Sequence, residues 1–152
     1  PEPLIQCDDP AIKALADSLT AGAADAWAAA SAICRYVDLA VEDVPTVSLP
    51  SAVDVLDAMR GDCNEHTALF VALARAAGIP SAVCNGIVYI DHGRFGYHAW
   101  PAVWVGDWVA MDPTFGMPVA DATHIILAMG SLEDQYAINA VIGRLSVREV
   151  RD

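Results

Sequence analysis

A chain of 152 residues is long enough for one domain with a substantial core. Hydrophobic residues make up 55%, yet no stretch reaches the roughly 18 uninterrupted apolar residues that a membrane span needs. Eight basic against 20 acidic side chains leave a net charge of −12, which excludes nucleic acid and anionic membrane surfaces as expected partners, since both need a basic face.

The first third reads as helix. Asp8-Asp9-Pro10 offers capping acids with proline at an early helical position, and Ile12, Leu15, Ala16 and Leu19 follow at helical spacing. Thr20-Ala21-Gly22 breaks this helix. A second covers about residues 25–40, with Trp27, Ile33, Tyr36, Val37 and Ala40 as its buried stripe. Residues 45–50 form a loop. Ser51 with Asp54 resembles a capping box for a short helix that ends at Gly61.

The next helix, residues 64–77, carries its polar residues in the first turn (Asn64, Glu65, His66, Thr67) and afterwards only Arg75. A helix apolar on nearly all sides is buried inside the domain. Gly78 and Pro80 stop it, and Cys63 stands directly ahead of it. From Ser81 the texture changes to strand: residues 82–90, a turn at Asp91-His92-Gly93, residues 97–105, a hairpin signal at Gly106-Asp107, and residues 108–111. Residues 123–128 and 142–150 are further strand candidates, separated by a helical or loop segment over 132–140. Helices followed by an antiparallel sheet give an α+β fold. The start at Pro1 suggests a single domain, residues 1–152, excised from a longer protein.

Cys7, Cys34, Cys63 and Cys84 lack CxxC spacing, so a zinc ribbon or thioredoxin-type site is not expected. Cys34 and Cys84 sit in apolar contexts and read as buried thiols. Cys63 differs. A helix N-terminus offers partial positive charge and free N–H groups, and a nearby imidazolium would favour the thiolate further. His98 is the candidate base and acid, Asp112 the group that fixes its tautomer, and the Cys63 backbone N–H an oxyanion donor. Glu65, in the same first turn, opposes the helix field unless its side chain points away.

The strands allow a geometric check. A two-residue turn at Gly106-Asp107 would pair Pro101 with Asp112 and put His98 and Asp112 on opposite faces. A triad therefore requires a longer turn or a β-bulge between them, for which Pro101 is a natural site.

Gly61-Asp62-Cys63-Asn64-Glu65-His66, the helix ending Ala76-Ala77-Gly78-Ile79-Pro80, His98-Ala99-Trp100 and Asp112-Pro113-Thr114 together resemble the bacterial transglutaminase-like superfamily. Asp121-Ala122-Thr123-His124 adds a weaker likeness. The resemblance implies a papain-like α+β fold with Cys63, His98 and Asp112 as a catalytic triad, in a group of transglutaminases, cysteine proteases, peptide N-glycanases and inactive members. Two positions depart from the pattern. Ala102 stands where many bacterial relatives carry an acid, and Asp57-Ala58-Met59-Arg60 holds no glutamine as second oxyanion donor.

The expected activity is thiol-dependent acyl transfer on a protein or peptide amide, as protease, amidase or transglutaminase. The alternative is an inactive binding or scaffolding module. Trp100 is the candidate for lining the substrate site, with Trp104 and Trp108 equally suited to a core. Cys63, His66 and His98 form only a weak zinc alternative, His66 reading better as a helix-surface or supporting residue. His92 reads as solvated, and His124 as structural, with Asp121–His124 able to brace the site. No EF-hand loop, phosphate loop or dinucleotide fingerprint occurs, so no metal and no cofactor is expected.

Overall fold

Each of the four main helices starts on a side chain that closes its own N-terminus, satisfying N–H groups that helix geometry leaves free. Asp9 accepts from the Ala11 and Ile12 amides ahead of α1 (Pro10–Thr20), and Asp25 from the Ala28 amide ahead of α2 (Ala26–Ala40). α3 (Ala52–Ala58) opens on a reciprocal box between Ser51 and Asp54, and α4 (Cys63–Ala76) on one between Asp62 and Glu65. The computed structural model describes residues 1–46, 51–139 and 144–148. Among them no helix is long and apolar enough to cross a membrane.

α4 is the hub. Every residue from Glu65 to Ala74 is buried, and the helix packs against α1, α2, α3 and the sheet. Ile12, Ile33, Val37 and Val55 join its own Phe70 and Leu73 in one buried core. The buried stripe of α2 is narrower than its spacing suggests. Ile33 and Val37 are buried, Tyr36 and Ala40 half-buried, and Trp27, in the first turn, is 36% exposed. α3 ends at Met59, whose φ of 49° makes it the left-handed cap in place of the expected Gly61. Gly61 serves α4 instead: a Cβ there would collide with the Glu65 side chain where it folds back to cap. Between these helices β1 (Glu42–Asp43) and β2 (Arg60–Gly61) form a short parallel pair.

The sheet is antiparallel, in the order β5-β4-β3-β6, from β3 (Ser81–Asp91), β4 (Arg94–Trp104), β5 (Trp108–Ala110) and β6 (His124–Gly130). His92 and Gly93 both take positive φ in the β3–β4 turn, the conformation that matches strand twist in a tight hairpin. Trp104 pairs with Trp108, so the β4–β5 turn holds three residues, Val105 to Asp107. That extra residue sets the face of everything beyond it. Continued past β5, the register places Asp112 opposite Trp100, on the face of His98. The longer turn required by the triad is present, and Pro101 stays in regular register with Val83. A 3₁₀ turn (Leu132–Asp134) leads into α5 (Gln135–Asn139). The strand expected over 142–150 lies partly outside the described residues; residues 144–148 form no strand. Helices on an antiparallel sheet make this an α+β fold, as expected.

Candidate active site

α4 docks its N-terminus on the open edge of β4. β5 pairs only with Ala102, Val103 and Trp104, followed by one bond from the Met111 amide to the Pro101 carbonyl. Ahead of that, the main chain of Ala99 turns to the helix. The Ala99 N–H donates to the Cys63 sulfur, and the Ala99 carbonyl accepts from Thr67 Oγ1 at 3.0 Å. Residues four apart lie on one helix face, so Cys63 and Thr67 grip one residue of the strand. Cys63 thus lies beside the residue that follows His98.

The electrostatics at Cys63 reverse the expectation of a depressed thiol pKa. Burial pushes it up to about 12; the Ala99 N–H opposes this, and the charges of Asp62, Asp112 and Glu65 add to the rise. Glu65 caps the helix by accepting from the Asp62 amide at 2.9 Å and takes a bond from Thr46 Oγ1 at 2.7 Å. Burial, and then the neighbouring Asp62 side chain, hold its own carboxyl above the usual range, which softens its field. Dehydration is the largest influence on this thiol; the helix N-terminus works against it, by at most about 2 kcal/mol at a partly buried charge.

His98 and Asp112 meet as the parity of the turn demands. His98 Nε2 lies 2.7 Å from Asp112 Oδ2, with both side chains buried. Committing Nε2 to the carboxylate leaves Nδ1 for a reacting proton. Asp112 Oδ1 accepts from the Thr114 and Phe115 amides at 2.9 and 3.3 Å. Burial disfavours the Asp112 carboxylate, but the bonds and charge of His98, the bond from His124 and the Phe115 amide outweigh it and hold its pKa below the usual carboxylate range. His124 Nε2 lies 3.0 Å from the same Oδ2, and its Nδ1 faces Asp121 Oδ1 at 3.2 Å. His98, Asp112 and His124 also form a set whose donor atoms, all within 4.8 Å of one another, could approach a metal ion together. The two N–O separations are those of hydrogen bonds.

Aromatic rings enclose His98. Trp100, expected to line the substrate site, is fully buried beneath it with ring centroids 5.6 Å apart. Phe115 stacks on His98 at 4.8 Å and is 51% exposed, so this ring meets solvent where Trp100 does not. Trp104 and Trp108 form an edge-to-face pair in matched register at the hairpin end, both about half exposed. His66 is buried, its Nδ1 2.7 Å from the Asp62 carbonyl, so it braces the start of α4 from within and does not lie on the helix surface. Cys34 and Cys84 are buried free thiols, as expected.

A family model described as the transglutaminase-like superfamily matches residues 13–113, from α1 to the residue after Asp112. The chain belongs to the transglutaminase-like superfamily. Among solved structures, a candidate cysteine protease from Cytophaga hutchinsonii matches with a TM-score of 0.78 and 24% identity, over 91% of this chain and 47% of that one. The periplasmic domain of TgpA from Pseudomonas aeruginosa matches with a TM-score of 0.54 and 27% identity, over 70% of this chain and 43% of that one. LapG from Legionella pneumophila, in an EGTA-treated form, matches with a TM-score of 0.55 and 13% identity over 94% of this chain. The chain thus spans about half the length of the first two. No curated protein matches in sequence.

Sequence reasoning undervalued two residues of this transglutaminase-like site, Phe115 and His124. Phe115 could have been reached from turn chemistry: an Asp-Pro-Thr stretch whose aspartate accepts from the next amides folds the fourth residue back over the site. His124 carried a local signal, its spacing from Asp121. Its partnership with Asp112 depends on β6 pairing with β3, which no local pattern shows.

Proposed function

We propose that this domain is a thiol-dependent acyl-transfer enzyme acting on a protein or peptide amide, with Cys63 as nucleophile, His98 as base and acid, and Asp112 as the residue that orients His98. The observation that carries this reading is the buried 2.7 Å His98–Asp112 bond on the strand whose next residue donates its amide to the Cys63 sulfur. As Sγ attacks the carbonyl carbon, its proton passes to His98 Nδ1. The Cys63 amide, first in α4 and without an intrahelical partner, donates to the developing oxyanion in this reading. Collapse breaks the C–N bond, and the amine leaves with the proton held by His98. Water then adds to the thioester, gives a proton to His98 and displaces the sulfur, which recovers that proton. We favour water over an amine as second acceptor, because excluding water from a thioester demands a more closed site. Tyr97, which lines a cleft of about 380 Å³, donates its hydroxyl to Asn64, the residue after Cys63.

A second reading, an inactive binding module, draws on the thiol at about 12. One experiment separates the two. Wild type, Cys63→Ala and His98→Ala are incubated with casein and fluorescent cadaverine, and with p-nitrophenyl acetate. Acylation of Cys63 with cleavage or ammonia release, lost in both variants, supports the hydrolase. Cadaverine incorporation turns the reading to a transferase. No acyl adduct at Cys63 and no product from either substrate overturns the enzyme.

A further inference from the structure

We infer that His124 is a positioning residue for the proposed reaction: a second imidazole that holds the same Asp112 carboxylate oxygen as His98, and is itself held by Asp121. This rests on the reading above, but its geometry is separate from the thiol. Asp112 Oδ2 receives two ring nitrogens, His98 Nε2 at 2.7 Å and His124 Nε2 at 3.0 Å. The His124 side chain is 3% exposed and that of Asp112 0%, so water does not substitute freely for either bond. The rings are 5.8 Å apart, and His124 also meets the edge of Trp100, the ring under His98. His124 therefore touches both the partner and the floor of His98 without needing to touch substrate.

Both nitrogens of His124 face carboxylate oxygens, Asp112 Oδ2 and Asp121 Oδ1. The ring can donate to both only while it carries both ring protons. Asp121 is tied in place by the Thr123 amide at 2.9 Å and by the Thr123 hydroxyl. The titratable groups around Asp112 are His98 from β4, His124 from β6, and the Cys34 and Cys63 thiols from α2 and α4; Asp121 faces His124 from the loop before β6. The second donor has two consequences. It keeps Oδ2 pointed between the rings, fixing the His98 plane. It also shares the carboxylate's charge, so Asp112 holds a protonated His98 less tightly than an unshared carboxylate would.

The test compares His124→Gln, whose amide nitrogen can reproduce the Nε2 donor, with His124→Phe, which fills the volume without a donor. Two quantities are read in folded protein: the pH profile of Cys63 alkylation by iodoacetamide, and the downfield proton resonance of the His98–Asp112 hydrogen bond. In His124→Phe the acid limb of the alkylation profile is expected to move up by about one pH unit. The alkylation rate at neutral pH should fall about tenfold, and the resonance should shift. His124→Gln should return all three most of the way. A Phe variant with wild-type profile and resonance overturns the inference, as does a Gln variant no better than Phe, which would leave His124 a packing residue. Should alkylation prove independent of His98 itself, the catalytic reading fails, while the resonance still decides whether His124 positions the His98–Asp112 pair.

Discussion

Replacing His98 by alanine tests the core of the mechanism without knowledge of the substrate. A thiol held at about 12 is ionised in about 10⁻⁵ of molecules at pH 7, against a few per cent for a free cysteine near 8.5. The loss is roughly three orders of magnitude. A more basic thiolate is also a better nucleophile, by about 0.4–0.5 log units per pKa unit, which returns roughly 1.5 orders. Without a base, Cys63 should therefore be alkylated by iodoacetamide about 30- to 100-fold more slowly than free cysteine at pH 7. With His98 taking the proton as sulfur attacks, wild type should match or exceed free cysteine. The assay uses a Cys7→Ser background, since Cys34 and Cys84 are buried and Cys7 is partly exposed. It follows the mass of the Cys63 peptide against time. Alanine is smaller than histidine, so a loss of steric bulk would not slow the variant. Equal rates in the two proteins would refute the assignment of His98 as the base for Cys63.

Asp112→Asn removes the charge that receives two imidazoles, and an amide cannot accept from both rings and both loop amides as a carboxylate does; turnover should fall about 10²- to 10⁴-fold in kcat with little change in KM. Asp112 also predicts acid sensitivity. Its folded pKa lies below that of the unfolded chain, so its stabilising contribution is present above the unfolded value near 4 and is lost as pH falls through the folded one; urea midpoints should drop on that side, and less so in Asp112→Asn. Gly61→Ala sets a methyl group against the Glu65 side chain, disturbing the α4 capping box, and should cost about 1–2 kcal/mol in urea unfolding; a neutral result would mean Glu65 can cap from another rotamer.

The layout was legible where local chemistry decided it. Asp9, Asp25 and the Ser51–Asp54 box sit where capping preferences put them, and the continuous apolar run after Thr67 marked α4 as central. Strand parity went further. From the need to bring His98 and Asp112 to one face it required a longer turn, and the three residues from Val105 to Asp107 supply it. What failed to show was long-range. Trp27 has the right phase on α2 but lies in its first turn and stays 36% exposed. Trp100 reads as an accessible ring until His98 and His124 pack against it. The thiol's rise depends on dehydration, which a sequence pattern carries only indirectly. The field of a helix end is easier to see there and far weaker in effect.

The short β5 joins these features. A strand edge left open exposes unpaired amides and carbonyls, and a fold must cover them. β5 stops at Ala110, and the chain turns away through the Asp112–Met117 bridge. Stopping there does two things at once. It delivers Asp112 to the face of His98, and it leaves Ala99 unpaired on the outer edge of β4. The N-terminus of α4 fills that gap, with the Cys63 sulfur on the Ala99 amide and the Thr67 hydroxyl on its carbonyl. Had β5 continued three residues further in register, to Pro113 opposite Ala99, it would have run along the edge on which α4 docks. The position of Cys63 at Ala99 is in that sense a consequence of strand length, and the burial that raises its pKa is the cost of using a strand edge as the anchor.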